Sequence, residues 1–170
     1  MSVPDEKGWW QLDTSASSLR EGQRLHCCVE GRYVTVFRVK GVLSAIDAIC
    51  HHAGGPLTAG PLQEIEELGG VTVVLCPWHH FAVDVKLGLK AYQSVEIKNG
   101  APLNTGWKIG KMVQRPHNVR QREHDDALFI QLVLPLSPEH EPCASDKDTY
   151  SERCAQSLTL CPLSGPFYNI

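Results

Sequence analysis

The sequence predicts an all-β protein. Most of its apolar residues either alternate with polar ones or form short runs rich in Val and Ile, and both patterns are typical of strands. Fourteen glycines and eleven prolines supply the turns that many short strands require. Helical periodicity is confined to Leu62–Leu68, where a helical turn or two would end at Gly69 and Gly70. We therefore expect several short strands in one domain of roughly 130 residues.

Seven segments carry the strand signal. Arg32–Lys40 alternates regularly, Gly41 breaks the pattern, and Val42–Ile49 follows, which is typical of two strands joined by a tight turn. Asn99–Gly110 contains Pro and several Gly and Asn residues, so we interpret it as a long loop. The predicted strands are Leu25–Val29, Arg32–Lys40, Val42–Ile49, Val71–Leu75, Ala82–Val85, His117–Arg122 and Ala127–Leu134.

Length and charge restrict the class of protein. The chain has 170 residues and a net charge of -3, which gives no electrostatic reason to expect nucleic acid as a partner. No run approaches 18 apolar residues, so we expect no membrane span. The first ten residues include Asp5 and Glu6 and lack an apolar core, so we expect no signal peptide and a cytoplasmic protein. After Pro135 the composition shifts to Ser, Pro, Glu, Asp and Cys, which predicts a domain over 1–135 and a tail, partly ordered or disordered, over 136–170.

Two short segments combine cysteine and histidine directly after predicted strands. Cys50 and His52 are separated by one residue, and Cys76 and His79 by two, so a tight loop can aim each pair at one point. Thiolates suit iron or zinc, and neutral imidazoles suit both. The four side chains would allow a tetrahedral zinc ion, and equally an iron–sulfur cluster with two cysteines on one iron and two histidines on the other. Seven cysteines, an odd number, cannot all pair within the chain.

The two segments together resemble the Rieske motif. The resemblance includes the His-x-Gly-Gly-Pro-Leu continuation from His52, the Cys-Pro-Trp-His run from Cys76 and the later Val-Asp-Val-Lys-Leu-Gly run, and it covers roughly Trp10 to Leu134. The chain is most similar to the small soluble Rieske-type ferredoxins of animals, which share a segment like Tyr92-Gln93-Ser94. This implies a Rieske fold: an antiparallel β-sandwich base domain with a small cluster-binding subdomain at about 49–88.

The resemblance also implies a ligand set. Cys50 and Cys76 would bind the inner iron of one [2Fe-2S] cluster per chain, and His52 and His79 the outer iron near the surface. High-potential Rieske proteins carry a disulfide between the loops and hydroxyl groups near the cluster. The matching positions here are Gly55 and Trp78 for the bridge, and Phe81 and Val83 for the hydroxyls. Fewer hydrogen bonds to the cluster predict a potential at the low end of the family's range of about -150 to +300 mV.

The leading functional hypothesis is therefore a one-electron carrier with no catalytic domain of its own. It would pass electrons from a flavin- or nicotinamide-dependent reductase to an oxygenase-type acceptor, and we expect it to be a monomer. Beyond Leu134 only 36 residues remain, with His140 as their one histidine, too few for the mononuclear iron domain of an oxygenase. The alternatives are a zinc-stabilised interaction module and a small electron-transfer subunit of a larger oxidoreductase complex.

The remaining histidines and cysteines receive structural interpretations. His51 and His80 are expected to lie beside the site without binding metal. Four further histidines show no ligand spacing and are predicted to be solvated, namely His26, His117, His124 and His140. No role is predicted for the other cysteines, which are Cys27, Cys28, Cys143, Cys154 and Cys161.

Overall fold

A computed structural model of the protein describes residues 4–133, 143–146 and 167–168. These residues form twelve β-strands and three short 3-10 helices, which confirms the all-β prediction. The strands are β1 Trp9–Ser15, β2 Arg24–Val29, β3 Arg32–Val39, β4 Val42–Asp47, β5 Leu62–Ile65, β6 Val71–Leu75, β7 Ala82–Asp84, β8 Leu89–Lys98, β9 Ala101–Met112, β10 Pro116–Arg122, β11 Ala127–Gln131 and β12 Phe167–Tyr168. The 3-10 helices are Leu57–Ala59, Glu66–Leu68 and Ala144–Asp146.

The larger sheet has seven antiparallel strands in the order β1-β11-β10-β4-β3-β2-β12. The predicted tight turn between β3 and β4 is confirmed: Lys40 and Gly41 both have positive φ, 53° and 73°, as a two-residue hairpin turn requires. β10 pairs with β11 as the sequence predicts. The edge strand β1 is a strand that the sequence pattern did not predict.

The smaller sheet has five antiparallel strands in the order β5-β6-β7-β8-β9. Here the prediction of a long loop over Asn99–Gly110 is wrong, because Ala101–Met112 forms the longest described strand. Asn99 and Gly100 have φ of 53° and 78° and make the hairpin turn between β8 and β9. Most of β9 is exposed, so its sequence lacks the apolar alternation of a half-buried strand.

The predicted helical turn at Leu62–Leu68 is only partly correct. Leu62–Ile65 forms strand β5, paired with β6, and the helical part is the three-residue 3-10 helix Glu66–Leu68. That helix ends at Gly69, which adopts a left-handed conformation with φ of 73°. Pairing with the buried strand β6 therefore overrides the weak helical pattern of this segment.

The two largest of the four hydrophobic clusters among the described residues contain most of the core. One lies on the larger sheet and includes Leu19, Val34 and Leu128, all fully buried. The other joins the two sheets: Phe37 and Ile46 from the larger sheet pack with residues of the smaller one and with both loop cysteines. The buried residues of this second cluster are Phe37, Ile46, Cys50, Leu57, Val74, Cys76, Val83, Val85 and Val113. The site predicted from the sequence thus lies against the core between the sheets.

Most of the predicted tail at 136–170 lies outside the described residues, and only 143–146 and 167–168 of it are described. His140, Cys154 and Cys161 therefore have no structural description. No helix among the described residues is both long enough and apolar enough to cross a membrane. The five described cysteines form no disulfide with one another.

Candidate metal centre

The first cysteine–histidine loop follows β4 and is closed by its own backbone. The Cys50 N–H donates to the Gly55 carbonyl at 2.8 Å, and the Gly54 N–H donates to the Cys50 carbonyl at 2.9 Å. Gly54 has a φ of 84°, in the left-handed region that favours glycine. These contacts turn the chain back on itself within five residues, so the side chains that follow Cys50 lie at the tip of the loop.

The second loop, between β6 and β7, repeats this hydrogen-bond pattern. The Cys76 N–H donates to the Phe81 carbonyl at 2.9 Å, and the His80 N–H donates to the Cys76 carbonyl at 2.8 Å. His80 has a φ of 57° and so occupies the position that Gly54 occupies in the first loop. A left-handed conformation costs a residue with a side chain about 1 kcal/mol relative to glycine. The two loops therefore have the same backbone design despite different sequences.

The two thiols meet at the base of the loops. Cys50 is fully buried and Cys76 is 1% exposed, and their side chains are hydrogen-bonded to each other. This bond raises the pKa of Cys50, where burial acts in the same direction, and lowers the pKa of Cys76 to about 6. Backbone N–H groups of Trp78 and His79 also point at the Cys76 sulfur and favour its thiolate. The pKa values of the two thiols are thus shifted in opposite directions.

The two imidazoles meet at the surface. The rings of His52 and His79 lie 4.8 Å apart between centroids and are perpendicular, and both residues are exposed. The ring of Phe81 packs against His52 at 4.3 Å and holds its orientation. No three His, Cys, Asp or Glu side chains in the described ranges surround one point as a single-ion site requires. The structure thus arranges the four predicted residues as two pairs. The two thiols contact each other in the interior, and the two imidazoles contact each other at the surface.

Gly55 sets the distance between the loops. A Cβ atom at this position would lie 2.6 Å from the Cys76 sulfur and 3.1 Å from Cγ of Trp78. Both distances are too short for a side chain, so the two loops can approach only because residue 55 is glycine. The indole of Trp78 lies over Gly55 and is itself 42% exposed. The two positions where the resemblance places a disulfide in high-potential relatives are thus in contact here.

The first loop is anchored by a residue that the sequence analysis missed. Gln114, fully buried after β9, donates from Nε2 to the carbonyls of Asp47 at 3.0 Å and Ile49 at 2.7 Å. Its Oε1 accepts a 2.8 Å hydrogen bond from the His51 N–H. Gln114 therefore holds the backbone on both sides of Cys50. The partners lie more than sixty residues away, so no local pattern marks this glutamine.

A buried charge network lies behind the same loop. Asp47, 4% exposed, accepts hydrogen bonds from Arg32 at 2.6 and 2.7 Å and from Nε2 of His117 at 2.9 Å. The Val133 N–H donates to Nδ1 of His117, which places the ring proton on Nε2. Burial acts to raise the pKa of Asp47, but His117 and Arg32 outweigh it and hold that pKa below its ordinary value. The prediction that His117 is solvated is wrong.

The described segment 143–146 joins this network. Asp146 accepts hydrogen bonds from Arg115 and, at 2.7 Å, from Arg32. Burial acts to raise the pKa of Asp146, yet the two arginines lower it to about 2. The Ser145 hydroxyl donates to Asp47. This part of the predicted tail is therefore fastened to the base of the first loop by charge and hydrogen bonds.

His26 also differs from its prediction, whereas His124 agrees with it. His26 is partly buried, its Nδ1 lies 3.0 Å from the Thr58 hydroxyl, and its ring stacks on Tyr33 at 5.5 Å. Burial lowers the pKa of His26 to about 4, so this ring stays neutral at physiological pH. The side chain of His124 is 75% exposed, as expected.

Comparison with known proteins places the chain in a family. The family model described as soluble Rieske-type ferredoxin matches residues 14–131. A Rieske domain-containing protein of Homo sapiens is 30% identical over 133 residues, which cover 78% of this chain and 77% of the human protein.

Solved structures of other proteins share the fold. A putative NADH-dependent nitrite reductase small subunit from Mycobacterium tuberculosis superposes with a TM-score of 0.51 at 15% identity, over 74% of this chain and 96% of that one. The terminal oxygenase of carbazole 1,9a-dioxygenase from Novosphingobium sp. KA1 gives a TM-score of 0.52 at 20% identity, over 80% of this chain and 31% of that one. The Rieske fold expected from the two-loop motif is thus confirmed, and the chain belongs to the soluble Rieske-type ferredoxin family.

Proposed function

We propose that the protein is a one-electron carrier that holds one Rieske-type [2Fe-2S] cluster between its two loops. Cys50 and Cys76 would bind the inner iron, and His52 and His79 the outer iron. The observation that carries this proposal is the segregation of the donors: a buried, hydrogen-bonded thiol pair and an exposed imidazole pair whose rings lie 4.8 Å apart. A Rieske centre requires two cysteines on one iron and two histidines on the other.

The surroundings of the donors fit such a group. The loops approach closely at Gly55, where a Cβ would meet the Cys76 sulfur, so the space between them is kept free of side-chain atoms at that point. Backbone N–H groups of His52 and Ala53 favour the thiolate of Cys50, as those of Trp78 and His79 favour that of Cys76. Thiolates are the form in which cysteine binds iron.

Different residues of the chain have different roles in the proposed electron transfer. When bound, the cluster supplies a one-electron couple. The buried cysteines hold it against the core that joins the two sheets. The exposed rings of His52 and His79 provide the contact point for a partner, and Phe81 keeps the His52 ring in place. The backbone turns of both loops fix these side chains, which limits the rearrangement that accompanies a change of charge.

We assign the carrier to the low-potential type. Phe81 and Val83 stand where high-potential relatives place hydroxyl groups, according to the resemblance. Both side chains are hydrocarbons and have no hydrogen-bond donor. Val83 is fully buried in the core, and the Phe81 ring packs on His52. Fewer donors stabilise the reduced form less and lower the potential.

The proposed partners are a flavin- or nicotinamide-dependent reductase and an oxygenase-type acceptor. The chain spans about a third of the carbazole dioxygenase terminal oxygenase to which it is similar. Membership of the soluble Rieske-type ferredoxin family supports the proposal that the protein delivers electrons to such an acceptor. In this proposal residues 1–135 form the Rieske domain, about 49–88 of them bind the cluster, and 136–170 form the tail.

Metal analysis and ligand exchange test the proposal. The purified protein should be coloured and contain two iron and two acid-labile sulfide per chain. His52→Cys or His79→Cys should keep a cluster but change its visible spectrum and lower its potential, because an anionic thiolate stabilises the oxidised form more than a neutral imidazole does. His51→Ala and His80→Ala serve as neighbouring controls and should keep the wild-type spectrum. A colourless protein with one zinc ion would refute the cluster, and a changed spectrum in His51→Ala would refute the ligand assignment.

A further inference from the structure

The charge of the chain is unevenly distributed. Residues 76–112, which include the second loop and strands β7 to β9, contain five lysines and two acidic residues, a balance of +3. The whole chain carries -3. One of the two acidic residues, Asp84, is buried, and burial raises its pKa. This stretch of the chain is therefore positive, whereas β5 and the 3-10 helix that follows it carry the acidic residues Glu64, Glu66 and Glu67.

Lys90 connects this charge to the metal centre. Its Nζ lies 5.7 Å from the ring centroid of Phe81 and 5.3 Å from that of Tyr92, over the faces of both rings. The Phe81 ring is in turn 4.3 Å from the ring of His52. One aromatic ring therefore separates the ammonium group from an imidazole of the proposed electron port. Such cation–π contacts favour a fixed position for the charge.

Lys108 extends the same face. It lies directly opposite Tyr92 in the β8–β9 register, and cross-strand partners point to the same side of a sheet. A Cβ at Gly110 would lie 3.4 Å from the Tyr92 ring, so the ring rests beside a residue without a side chain. Lys90, Tyr92 and Lys108 thus form one continuous surface, here called the Lys90 face.

The lysines of the Lys90 face are not neutralised by neighbours. Neither Lys90 nor Lys108 forms an ion pair with any residue that the structure describes. Glu67, the acidic side chain that reaches β9, accepts a hydrogen bond from the Trp107 N–H at 3.2 Å. Along β8 the next acidic residue after Tyr92 is Glu96, four positions away.

We propose that the Lys90 face is the docking surface for the redox partner and that the matching surface of the partner is acidic. The inference rests on the proposed function, since it takes the imidazole pair as the electron port. Complementary charge beside the port steers a partner into a productive orientation and raises its association rate about 10- to 1000-fold. At physiological salt charges act over about 8 Å, so the charges nearest the port, those of Lys90 and Lys108, govern the encounter rather than the net charge of the chain.

Oxidation by small ions of opposite charge tests this inference. The reduced protein is mixed in a stopped-flow instrument with hexacyanoferrate(III), an anion, or hexaamminecobalt(III), a cation, each of which accepts one electron per ion. Rising salt should slow the anionic oxidant and speed the cationic one, because the port is locally positive. The opposite signs, which the net charge of -3 would produce, would overturn the inference.

Three lysine variants locate the effect. Lys90→Gln and Lys108→Gln should each slow oxidation by hexacyanoferrate(III) about fivefold at about 0.01 M ionic strength, the effect of one charge about 10 Å from a trivalent ion. Lys98→Gln is the matched control, because it removes the same charge about 26 Å along β8 from Lys90. Equal slowing in all three variants would refute the Lys90 face.

A second readout does not depend on the cluster. On a column of immobilised poly-L-glutamate, Lys90→Gln and Lys108→Gln should elute at lower salt than Lys98→Gln, and equal elution of all three would contradict the inference. Failure of the proposed function is recognised separately by the absence of iron and sulfide. A protein that contains the cluster but shows the salt dependence of its net charge refutes only the docking surface.

Discussion

Removal of the Gln114 side chain should destabilise the fold and the first loop together. The carboxamide makes three hydrogen bonds to backbone groups that flank Cys50, to the Asp47 and Ile49 carbonyls and from the His51 N–H. A buried hydrogen bond contributes about 1 kcal/mol net, and a partner left unpaired in the interior costs up to about 3 kcal/mol. Gln114→Ala should therefore lower the free energy of unfolding by about 3–5 kcal/mol.

A second variant tests the direction of the hydrogen bonds at Gln114. Gln114→Glu keeps the acceptor for the His51 N–H but turns a carboxylate oxygen toward two carbonyl oxygens. Below the pKa of the new carboxyl, which burial raises, the acid can donate one of the lost bonds. The Gln114→Glu protein should therefore gain stability as the pH falls from 8 toward 5, whereas wild type should not.

Urea denaturation followed by far-UV circular dichroism measures both Gln114 variants, and iron content after reconstitution reports on the loop. Gln93→Ala is the matched control, because Gln93 is exposed and its one described side-chain hydrogen bond, with Asn104, is 3.4 Å long. We expect this control to stay within about 0.5 kcal/mol of wild type. A loss below about 1 kcal/mol in Gln114→Ala, or a loss equal to that of the control, would refute the anchoring role.

Three further changes test the loops and the network behind them. Gly55→Ala should reduce iron content by more than half, because its Cβ would lie 2.6 Å from the Cys76 sulfur; unchanged iron content would refute the close approach. His80→Gly should stay within about 1 kcal/mol of wild type in urea denaturation, while the β-branched His80→Val should lose about 1–2 kcal/mol, because φ is 57° there. The stability that Asp146 contributes is present above its unfolded pKa of 3.8 and is lost as the pH falls toward its folded pKa of about 2. In Asp146→Asn, the loss of unfolding free energy between these two pH values should therefore be smaller than in wild type by about 1 kcal/mol.

The sequence predicts the parts of the fold that local patterns encode. The β3–β4 hairpin is predictable because Arg32–Lys40 alternates and Gly41 supplies the turn. Cys50 and Cys76 are predictable as one site because each stands at a strand end with a histidine close behind it. The β8–β9 hairpin was missed although Asn99-Gly100 is a strong two-residue turn signal. Its strands are largely exposed, so they lack the apolar alternation by which a sequence pattern identifies a strand.

Support for the site depends instead on contacts between distant residues. His117 bonds Asp47 across seventy positions, and its own neighbours in sequence give no sign of burial. Asp47 did offer a signal: a carboxylate that ends an apolar strand is a candidate for burial, and a buried carboxylate needs a partner. The identity of that partner follows only from the pairing of β10 with β4, which places His117 opposite Ala45.

The equivalence of the two loops explains the left-handed conformation of His80. In both loops the residue four positions after the cysteine donates its N–H back to the cysteine carbonyl and adopts positive φ. Glycine meets this demand without cost in the first loop, and histidine meets it in the second at about 1 kcal/mol. The second loop can bear that cost because Cys76 is also held by its hydrogen bond to Phe81 and by the thiol pair. The two segments therefore share a backbone geometry. One residue separates cysteine from histidine in the first loop and two residues separate them in the second, and both spacings place an imidazole at the tip of the same turn.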